Sequence, residues 1–223
     1  MSLALAPRLT PSFTVLDCPQ RSPDWFAARL GRLTGSRAAD MLTTTQKGGE
    51  SAKRRDLRLQ LALERLTRTV QEDRYVSPEM RRAVALEPQA CAAYEAHSGV
   101  LTTRTGFLTH DTLPVGCSLD GHVGAFAGIV ELKVPKSTTH LEYLRAGTVP
   151  PAYLPQIVHN LWVSGAAWCD FCSFDDRFPP ALQTYVVRYD RDEQEIATYA
   201  LVVAQFLSEV ADEVEAVRAM TAA

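Results

Sequence analysis

Two carboxylates and a lysine lie close together within residues 117–136 and could hold a metal ion for phosphate chemistry. Asp120 is followed, after ten intervening residues, by Glu131, and Lys133 comes two residues later. Neighbouring carboxylates repel each other unless a cation lies between them, and hard oxygen ligands suit Mg²⁺ or Mn²⁺. A lysine beside that metal can hold a water or offset charge on a phosphate. The pattern is short, so a surface hairpin with a solvated Glu–Lys pair is the alternative interpretation.

A β-hairpin would bring these side chains together. The segment IVELKV around Glu131 contains β-forming residues and alternates apolar with polar positions, which predicts a strand. Glu131 and Lys133 would then share one face of that strand, with their apolar neighbours on the other face. An extended run precedes Asp120, and the glycines between Asp120 and Glu131 allow the chain to turn back. We therefore expect Asp120 to lie beside Glu131.

Size and composition indicate an ordinary globular protein. The chain has 223 residues, of which 46% are hydrophobic and 22% are charged, enough for one substantial domain with its own core. No run of eighteen apolar residues occurs, and the first residues lack a basic start with a long apolar run, so neither a membrane span nor a secretory signal is predicted. The five cysteines show no framework spacing, which fits a reducing compartment. Motifs of zinc proteases, serine hydrolases and P-loop ATPases do not occur.

Charge is distributed unevenly along the chain, although the net charge is only −3. Residues 47–68 carry seven basic and three acidic side chains, a balance of +4. Residues 190–218 carry two basic and eight acidic side chains, a balance of −6. A polyanion would favour the first region and avoid the second. Solvated helix faces would produce the same asymmetry.

The first half of the chain reads as mainly helical. Thr34, Gly35 and Ser36 begin one helix, whose free N–H groups could seat a phosphate with Arg29 as a bidentate partner. From the residues alone, a plain capping turn beside a surface arginine is the preferred interpretation.

A helix predicted over residues 77–97 contains Glu87, which is followed by Pro88. A proline inside a helix pattern kinks or restarts the helix, so we expect helix starts on both sides of it. The remaining elements are predicted strands at 100–108, 168–174 and 183–190, a helix at 155–165 with Gln156 and Asn160 on one polar flank, and a long amphipathic helix at 192–220.

In this order the motifs resemble a known family. Asp24-Trp25, Arg29-Leu30-Gly31, Thr34-Gly35-Ser36, the helical Glu87, CSLDG at 117–121, ELKVP at 131–135 and QIVHNLWV at 156–163 are similar to the phage lambda exonuclease family, the viral recombination exonucleases of the PD-(D/E)XK nuclease superfamily. The similarity covers about residues 20–215. One departure is Leu119, which stands where the superfamily often has proline before the first carboxylate.

The resemblance implies an α/β fold. Its expected parts are a restriction-endonuclease-like core of the PD-(D/E)XK type, a mixed central sheet flanked by helices, and an N-terminal helical portion. One nuclease domain would span residues 1–223, with about 20–98 mainly helical, about 99–190 forming the sheet and catalytic core, and 192–220 forming a C-terminal helix.

The resemblance also implies roles for the residues of the hairpin. Asp120 and Glu131, joined by the backbone carbonyl of Leu132, would bind two Mg²⁺ ions, with Mn²⁺ able to substitute. Lys133 would orient the attacking water and stabilise charge on the scissile phosphate.

Residues outside the hairpin receive roles by the same resemblance. Glu87 would act at the border of the site through a metal-bound water, and Gln156 would steady the nucleophilic water. Arg29 and Ser36 would form a pocket for the 5′-phosphate, which reverses the preference for a capping turn. The basic residues expected along the DNA path are Lys53, Arg54 and Arg55.

The implied function is a Mg²⁺-dependent exonuclease that degrades one strand of linear double-stranded DNA in the 5′ to 3′ direction. Mononucleotides would be released and a 3′ overhang left for a single-strand-annealing recombination protein. By the same resemblance, the protein would form a ring-shaped homotrimer. It would be encoded by a phage or prophage and would work in the bacterial cytoplasm. The alternatives are an endonuclease of the same fold, such as a restriction or junction-resolving enzyme, and a non-catalytic DNA-binding recombination protein.

Overall fold

The computed structural model describes residues 13–71 and 77–220, which form a mixed α/β structure. Its α-helices are α1 (Pro23–Arg29), α2 (Ala38–Leu42), α3 (Ala52–Thr67), α4 (Pro78–Ser98), α5 (Ser137–Ala146), α6 (Leu154–Ser164) and α7 (Glu193–Ala219). Its strands are β1 (Phe13–Leu16), β2 (Leu33–Thr34), β3 (Phe107–His110), β4 (Val115–Cys117), β5 (Gly121–Val123), β6 (Gly128–Lys133), β7 (Trp168–Phe174) and β8 (Thr184–Asp190). The predicted α/β class is therefore confirmed.

The strands form two mixed sheets, and the sheet that carries the predicted catalytic strands is flanked by helices. One sheet has the order β1-β3-β4-β2, with β2 parallel to β4 and the other pairs antiparallel. The other has the order β5-β6-β7-β8, with β6 parallel to β7. Helices α5 and α6 make the connection from β6 to β7, as parallel neighbours require. Helix α6 is therefore the second helix of the crossover that follows the strand carrying Glu131 and Lys133.

The core forms where the helices cover the sheets. Apolar residues of α6 and α7 recur at helical spacing and are buried together with those of α3. Val130 and Leu132 point to the other face of β6, where they pack with Tyr94 of α4 in a separate apolar cluster. The principal buried residues of the main core are Leu57, Leu61, Ile157, Leu161, Val203, Phe206 and Val210. Within the described residues, no helix is long and apolar enough to cross a membrane.

Two local predictions were wrong. Helix α4 runs through Pro88 as one element instead of restarting there. Pro88 lies on the exposed side of this helix, and the burial of Ala90 and Tyr94 stabilises the helix against the lost hydrogen bond. The strand expected at 100–108 is limited to its end, Phe107–His110, because Thr103 forms only an isolated bridge with His122.

Candidate active site

The predicted hairpin is present and brings the two acidic residues together. In the β5–β6 register, Gly121 lies opposite Val130, so the preceding residue, Asp120, comes opposite Glu131 just beyond the end of β5. The backbone N–H of Leu132 donates a hydrogen bond of 2.7 Å to Oδ2 of Asp120. The turn between the strands contains Gly124 at φ +56°, a left-handed conformation that favours glycine. We call Asp120 together with β5 and β6 the carboxylate hairpin.

The carboxylate of Glu131 is buried, with only 2% of the residue exposed. Lys133 donates from Nζ to Oε1 of Glu131. Helix α6 supplies two amides to the same group: Nε2 of Gln156 lies 2.7 Å from Oε1, and Nδ2 of Asn160 lies 3.4 Å from Oε2. Residues four apart share a helix face, so both amides of α6 reach the same carboxylate.

The electrostatics of the hairpin favour a further cation. Burial raises the pKa of Glu131, and repulsion from Asp120 raises it further, whereas Lys133 lowers it. Burial alone would lower the pKa of Lys133, but Glu131 and Asp120 outweigh that effect and raise it. Lys133 therefore remains a cation between two carboxylates and cannot neutralise both of them.

The side chains of the hairpin fit a Mg²⁺ site of the kind completed by water and substrate. Asp120 and Glu131 offer hard carboxylate oxygens, while the described residues contain no group of three or more His, Cys, Asp or Glu side chains placed to hold a metal. Mg²⁺ usually keeps several waters and binds one or two carboxylates together with substrate phosphate. The predicted backbone ligand Leu132 lies in the same strand as Glu131. The carboxylates of Asp120 and Glu131 and the backbone carbonyl of Leu132 would hold the ion.

Glu87 lies on α4, which packs against β6 and β7. Its Oε1 forms an ion pair with Arg104 at 3.3 Å. The carboxylate thus has a cationic partner on the loop before β3, and its role at the border of the site stays a prediction.

Arg29 and Ser36 come together through Thr34. Nη2 of Arg29 donates to Oγ1 of Thr34 at 3.5 Å, and this hydroxyl lies 3.3 Å from Oγ of Ser36. The guanidinium of Arg29 stacks over the ring of Trp25 at 4.2 Å. Nε1 of Trp25 donates to Oγ of Ser118 at 2.7 Å, which ties this cluster to the loop that carries Asp120. A cation and two hydroxyl groups suit an anion such as phosphate.

Asn160 connects this cluster with the carboxylate hairpin, and the sequence had suggested only that it shares a flank with Gln156. Its Nδ2 faces Glu131, while a Cβ built on Gly35 would lie 2.3 Å from its Oδ1. That Oδ1 is buried and has no hydrogen-bond partner within residues 13–71 and 77–220. Only glycine therefore allows the turn that carries Ser36 to lie this close to Asn160. A polar residue on the buried face of an apolar helix was the signal that could have revealed it.

The predicted DNA-path residues lie at the start of α3 and differ in their surroundings. Lys53 and Arg55 are exposed, and Arg55 pairs with its neighbour Asp56 at 3.0 Å. Arg54 instead donates to Glu209 of α7 at 2.6 and 3.0 Å. A contact between Arg54 and DNA would compete with this ion pair. The role of all three basic residues stays a prediction.

Comparison with known proteins agrees with this arrangement. The model of a "YqaJ-like viral recombinase domain" matches residues 24–167. An alkaline exonuclease (LHK-Exo) from Laribacter hongkongensis is 36% identical over 90% of this chain and 98% of that chain, with a TM-score of 0.81. Its complex with dAMP gives the same values.

A more distant structure agrees in fold alone. The phage related exonuclease from Haemophilus somnus 129PT is 12% identical, with a TM-score of 0.61 over 83% of this chain and 96% of that chain. None of the curated proteins compared with the chain matches it. The matched segment includes the carboxylate hairpin, the Arg29 cluster and α6. The chain therefore belongs to the YqaJ-like viral recombinase domain family, the lambda exonuclease family of viral recombinase-type exonucleases.

Proposed function

We propose that the chain is a Mg²⁺-dependent exonuclease that degrades one strand of linear double-stranded DNA from its 5′ end. The observation that carries the proposal is the contact of Asn160 with both Glu131 and the turn at Gly35. A site for phosphodiester hydrolysis and a site for a terminal phosphate are thereby held side by side.

The side chains of the hairpin have complementary roles in this hydrolysis. When bound by Asp120, Glu131 and the carbonyl of Leu132, Mg²⁺ acts as a Lewis acid that lowers the pKa of water and offsets phosphate charge. Lys133 remains protonated beside the carboxylates and stabilises the charge that develops on the phosphate. Gln156, held against Glu131 at 2.7 Å, orients the attacking water.

The cluster of Arg29, Thr34 and Ser36 supports the direction of degradation. A guanidinium binds phosphate with two parallel hydrogen bonds, and a terminal 5′-phosphate presents more oxygens and more charge than an internal one. Retaining the new 5′-phosphate after each cleavage would carry the enzyme from 5′ to 3′. The products are mononucleotides and a 3′ single-stranded overhang.

The remaining parts of the proposal rest on family membership. They are a second Mg²⁺, substitution by Mn²⁺, a homotrimeric ring around the DNA, a single-strand-annealing recombination protein as partner, and action in the bacterial cytoplasm as part of a phage or prophage. Glu87 acts through a metal-bound water, and Lys53, Arg54 and Arg55 follow the DNA. The relative from L. hongkongensis is an alkaline exonuclease with a dAMP complex, which supports nucleotide chemistry at this site.

One assay tests the reaction. Linear duplex DNA labelled at either end is incubated beside a closed circle, with Mg²⁺ or with a chelator. We expect Mg²⁺-dependent release of mononucleotides from the 5′ end and an intact circle. Cutting of the circle would instead indicate an endonuclease, and no nucleotide release under any condition would indicate a non-catalytic DNA-binding protein.

A comparison of DNA ends tests the phosphate pocket. Duplexes with a 5′-phosphate should be degraded faster than duplexes with a 5′-hydroxyl. Equal rates and equal processivity on the two ends would remove Arg29 and Ser36 from the proposed role.

A further inference from the structure

A cleft rich in arginine lies away from the carboxylate hairpin. It has a volume of about 560 Å³ and runs between the loop after α1, the end of α3, the β3–β4 turn and the last part of α7. The charged side chains along its walls are Arg32, Arg65, Arg68, Arg218, Asp111 and Glu215. Among the described residues that line it, four guanidinium groups against two carboxylates give this arginine cleft an excess of positive charge.

Arg65 is built into the wall of the cleft by a specific backbone contact. Its Nε donates to the carbonyl oxygen of Gly31 at 2.9 Å. Gly31 has φ +66°, and a Cβ at this position would lie 2.7 Å from Cγ of Arg65. Glycine is therefore needed both for the left-handed turn and for the close passage of the arginine stem. The contact holds the guanidinium in a defined place.

The guanidinium of Arg65 is left incompletely satisfied. Its Nη2 is buried and has no hydrogen-bond partner among the described residues. The adjacent Glu64 is occupied elsewhere, since its Oε2 accepts from the N–H of Gly31 at 2.8 Å and its Oε1 from Gln71 at 3.1 Å. Buried donors in folded proteins are nearly always paired, and an exception calls for an ion, a water or a ligand.

The surrounding charges compensate for Arg65 only in part. Burial lowers its pKa and repulsion from Arg32 lowers it further, against the opposing effect of the Glu64 carboxylate. Burial also lowers the pKa of Arg32. Of the two carboxylates of the cleft, Glu215 pairs with Arg218 at 2.8 Å, and Asp111 accepts from Thr14 at 2.9 Å. Arg32 and Arg65 are thus two neighbouring cations in the wall of the cleft, and together they offer an excess of N–H donors.

We propose that the arginine cleft binds a backbone phosphate of the DNA strand. Planar guanidinium groups match the oxygens of a phosphate in bidentate fashion, and a phosphate would offset the repulsion between Arg32 and Arg65. A nucleic acid is favoured as its source because the wall of the cleft begins at Leu30, the residue after Arg29 of the proposed 5′-phosphate pocket. In naming DNA as the ligand, the inference rests on the proposed function.

Phosphate binding is tested first, without DNA or catalysis. The probe is inorganic phosphate, compared with chloride at equal ionic strength, in an Arg29→Gln background that removes the other pocket. A ligand that binds the folded state raises its melting temperature. We expect phosphate to raise the melting temperature of the background protein and to lose this effect when Arg65→Gln or Arg32→Gln is added. The matched control is Arg145→Gln, a change of an exposed arginine on α5, which should keep the effect.

DNA binding is tested with a chelator present, by fluorescence anisotropy of a labelled duplex over a range of salt concentrations. Arg65→Gln should weaken binding roughly tenfold and reduce the slope of log affinity against log salt by about 1. Arg65→Lys keeps the charge but loses the planar fork, so it should retain the slope and lose part of the affinity. These measurements do not depend on nuclease activity, so failure of the proposed reaction would leave their outcome readable.

The results separate the possibilities. If Arg65→Gln and Arg32→Gln are folded and change neither the phosphate effect nor the salt slope, the proposal is overturned. A phosphate effect without any change in DNA binding would overturn DNA as the ligand. If Arg65→Gln fails to fold, Arg32→Gln and Arg68→Gln in the same cleft decide the result.

Discussion

Two clusters of acidic and basic side chains in this molecule shift the pKa values of their carboxylates in opposite directions. Between α3 and α7, Arg54 and Arg58 are shared among Glu50, Glu209 and Glu213. We call these five residues the α3–α7 network. In the carboxylate hairpin, Asp120 and Glu131 have a single lysine between them. Each cluster has one more carboxylate than cations, but every carboxylate of the first cluster pairs with an arginine, whereas in the second a buried carboxylate and its acidic neighbour share one lysine.

The pKa shifts of the acidic residues show the difference. In the α3–α7 network, hydrogen bonds from Arg58 and Arg54 lower the pKa of Glu50, and a hydrogen bond from Arg54 lowers that of Glu209. In the hairpin, burial and Asp120 raise the pKa of Glu131. The network therefore stabilises the ionised form of its carboxylates, whereas the environment of the hairpin destabilises the ionised form of Glu131. Such perturbed groups concentrate at functional sites.

The largest expected effect comes from removing charge in the hairpin. Glu131→Gln should lower the nuclease rate by on the order of 10³-fold, because the amide cannot help to hold Mg²⁺. The same change leaves Lys133 and the amides of α6 with fewer acceptors, so the melting temperature should fall. Rates of nucleotide release in Mg²⁺ and thermal unfolding check both parts. The control is Asp212→Asn, which removes an exposed carboxylate of α7.

An unchanged nuclease rate in these variants would contradict the contrast between the two clusters. If Glu131→Gln, or Asp120→Asn beside it, digests linear DNA as fast as the unmodified protein, the excess charge of the hairpin does not serve catalysis.

A smaller effect is expected at Asn160, which joins the carboxylate hairpin to the cluster of Arg29, Thr34 and Ser36. Asn160→Ser should reduce the rate about tenfold, because Glu131 loses one of its amide donors. A positioning role predicts two further changes: a higher Mg²⁺ requirement and a weaker preference for 5′-phosphate over 5′-hydroxyl ends. If both quantities stay at the parental values while the rate falls, Asn160 supports only the local packing. Leu161, the next residue of α6, is buried in the core and offers Leu161→Met as a packing control.

The α3–α7 network should respond in stability and not in catalysis. Glu209→Gln weakens a partly buried bidentate pair, so we expect a loss of about 1–2 kcal/mol in the free energy of unfolding. Urea unfolding measures this loss, and the nuclease rate should be unchanged. Arg54→Met should destabilise the protein by a similar amount.

The DNA-path prediction for Arg54 can be separated from its structural role. Arg55→Met, at an exposed neighbouring position, provides the comparison. If Arg54→Met reduces DNA affinity no more than Arg55→Met, while unfolding more easily, Arg54 is a structural residue.

The smallest effect is a pH dependence of the same network. The pKa values of Glu50 and Glu209 are lowered in the folded state from a usual value of 4.5. A group with a lowered folded pKa binds fewer protons when folded, so its stabilisation is present above pH 4.5 and is lost as pH falls through the folded pKa. Urea unfolding measured from about pH 5 down to about pH 3, across the usual pKa range of a carboxylate, should show declining stability. In Arg54→Met the free energy of unfolding should decline less steeply as pH falls. An equal decline in both proteins would show that the α3–α7 network does not cause this pH dependence.

Part of this fold follows from sequence patterns that involve residues only a few positions apart. The hairpin of Asp120 and Glu131, strand β7 and helices α6 and α7 could be predicted because alternation, turn glycines and helical spacing are local properties of the chain. The predicted pairing of Asp120 with Glu131 needed only one turn. The break expected at Pro88 did not occur, because the packing of Tyr94 against β6 is a contact between distant residues.

The sequence by itself determined which residues we propose for the chemistry: the carboxylates and lysine of one hairpin, the polar flank of one helix and the motif that holds Arg29. Only the tertiary structure decided which charges meet. The basic stretch of residues 47–68 and the acidic stretch of residues 190–218 looked like separate surfaces, yet α3 packs on α7 and Arg54 binds Glu209. The contact of Asn160 with Gly35 and the unpaired donor of Arg65 arise in the same way. Local patterns depend on residues a few positions apart, whereas the neutralisation of a charge depends on partners that packing brings from far along the chain.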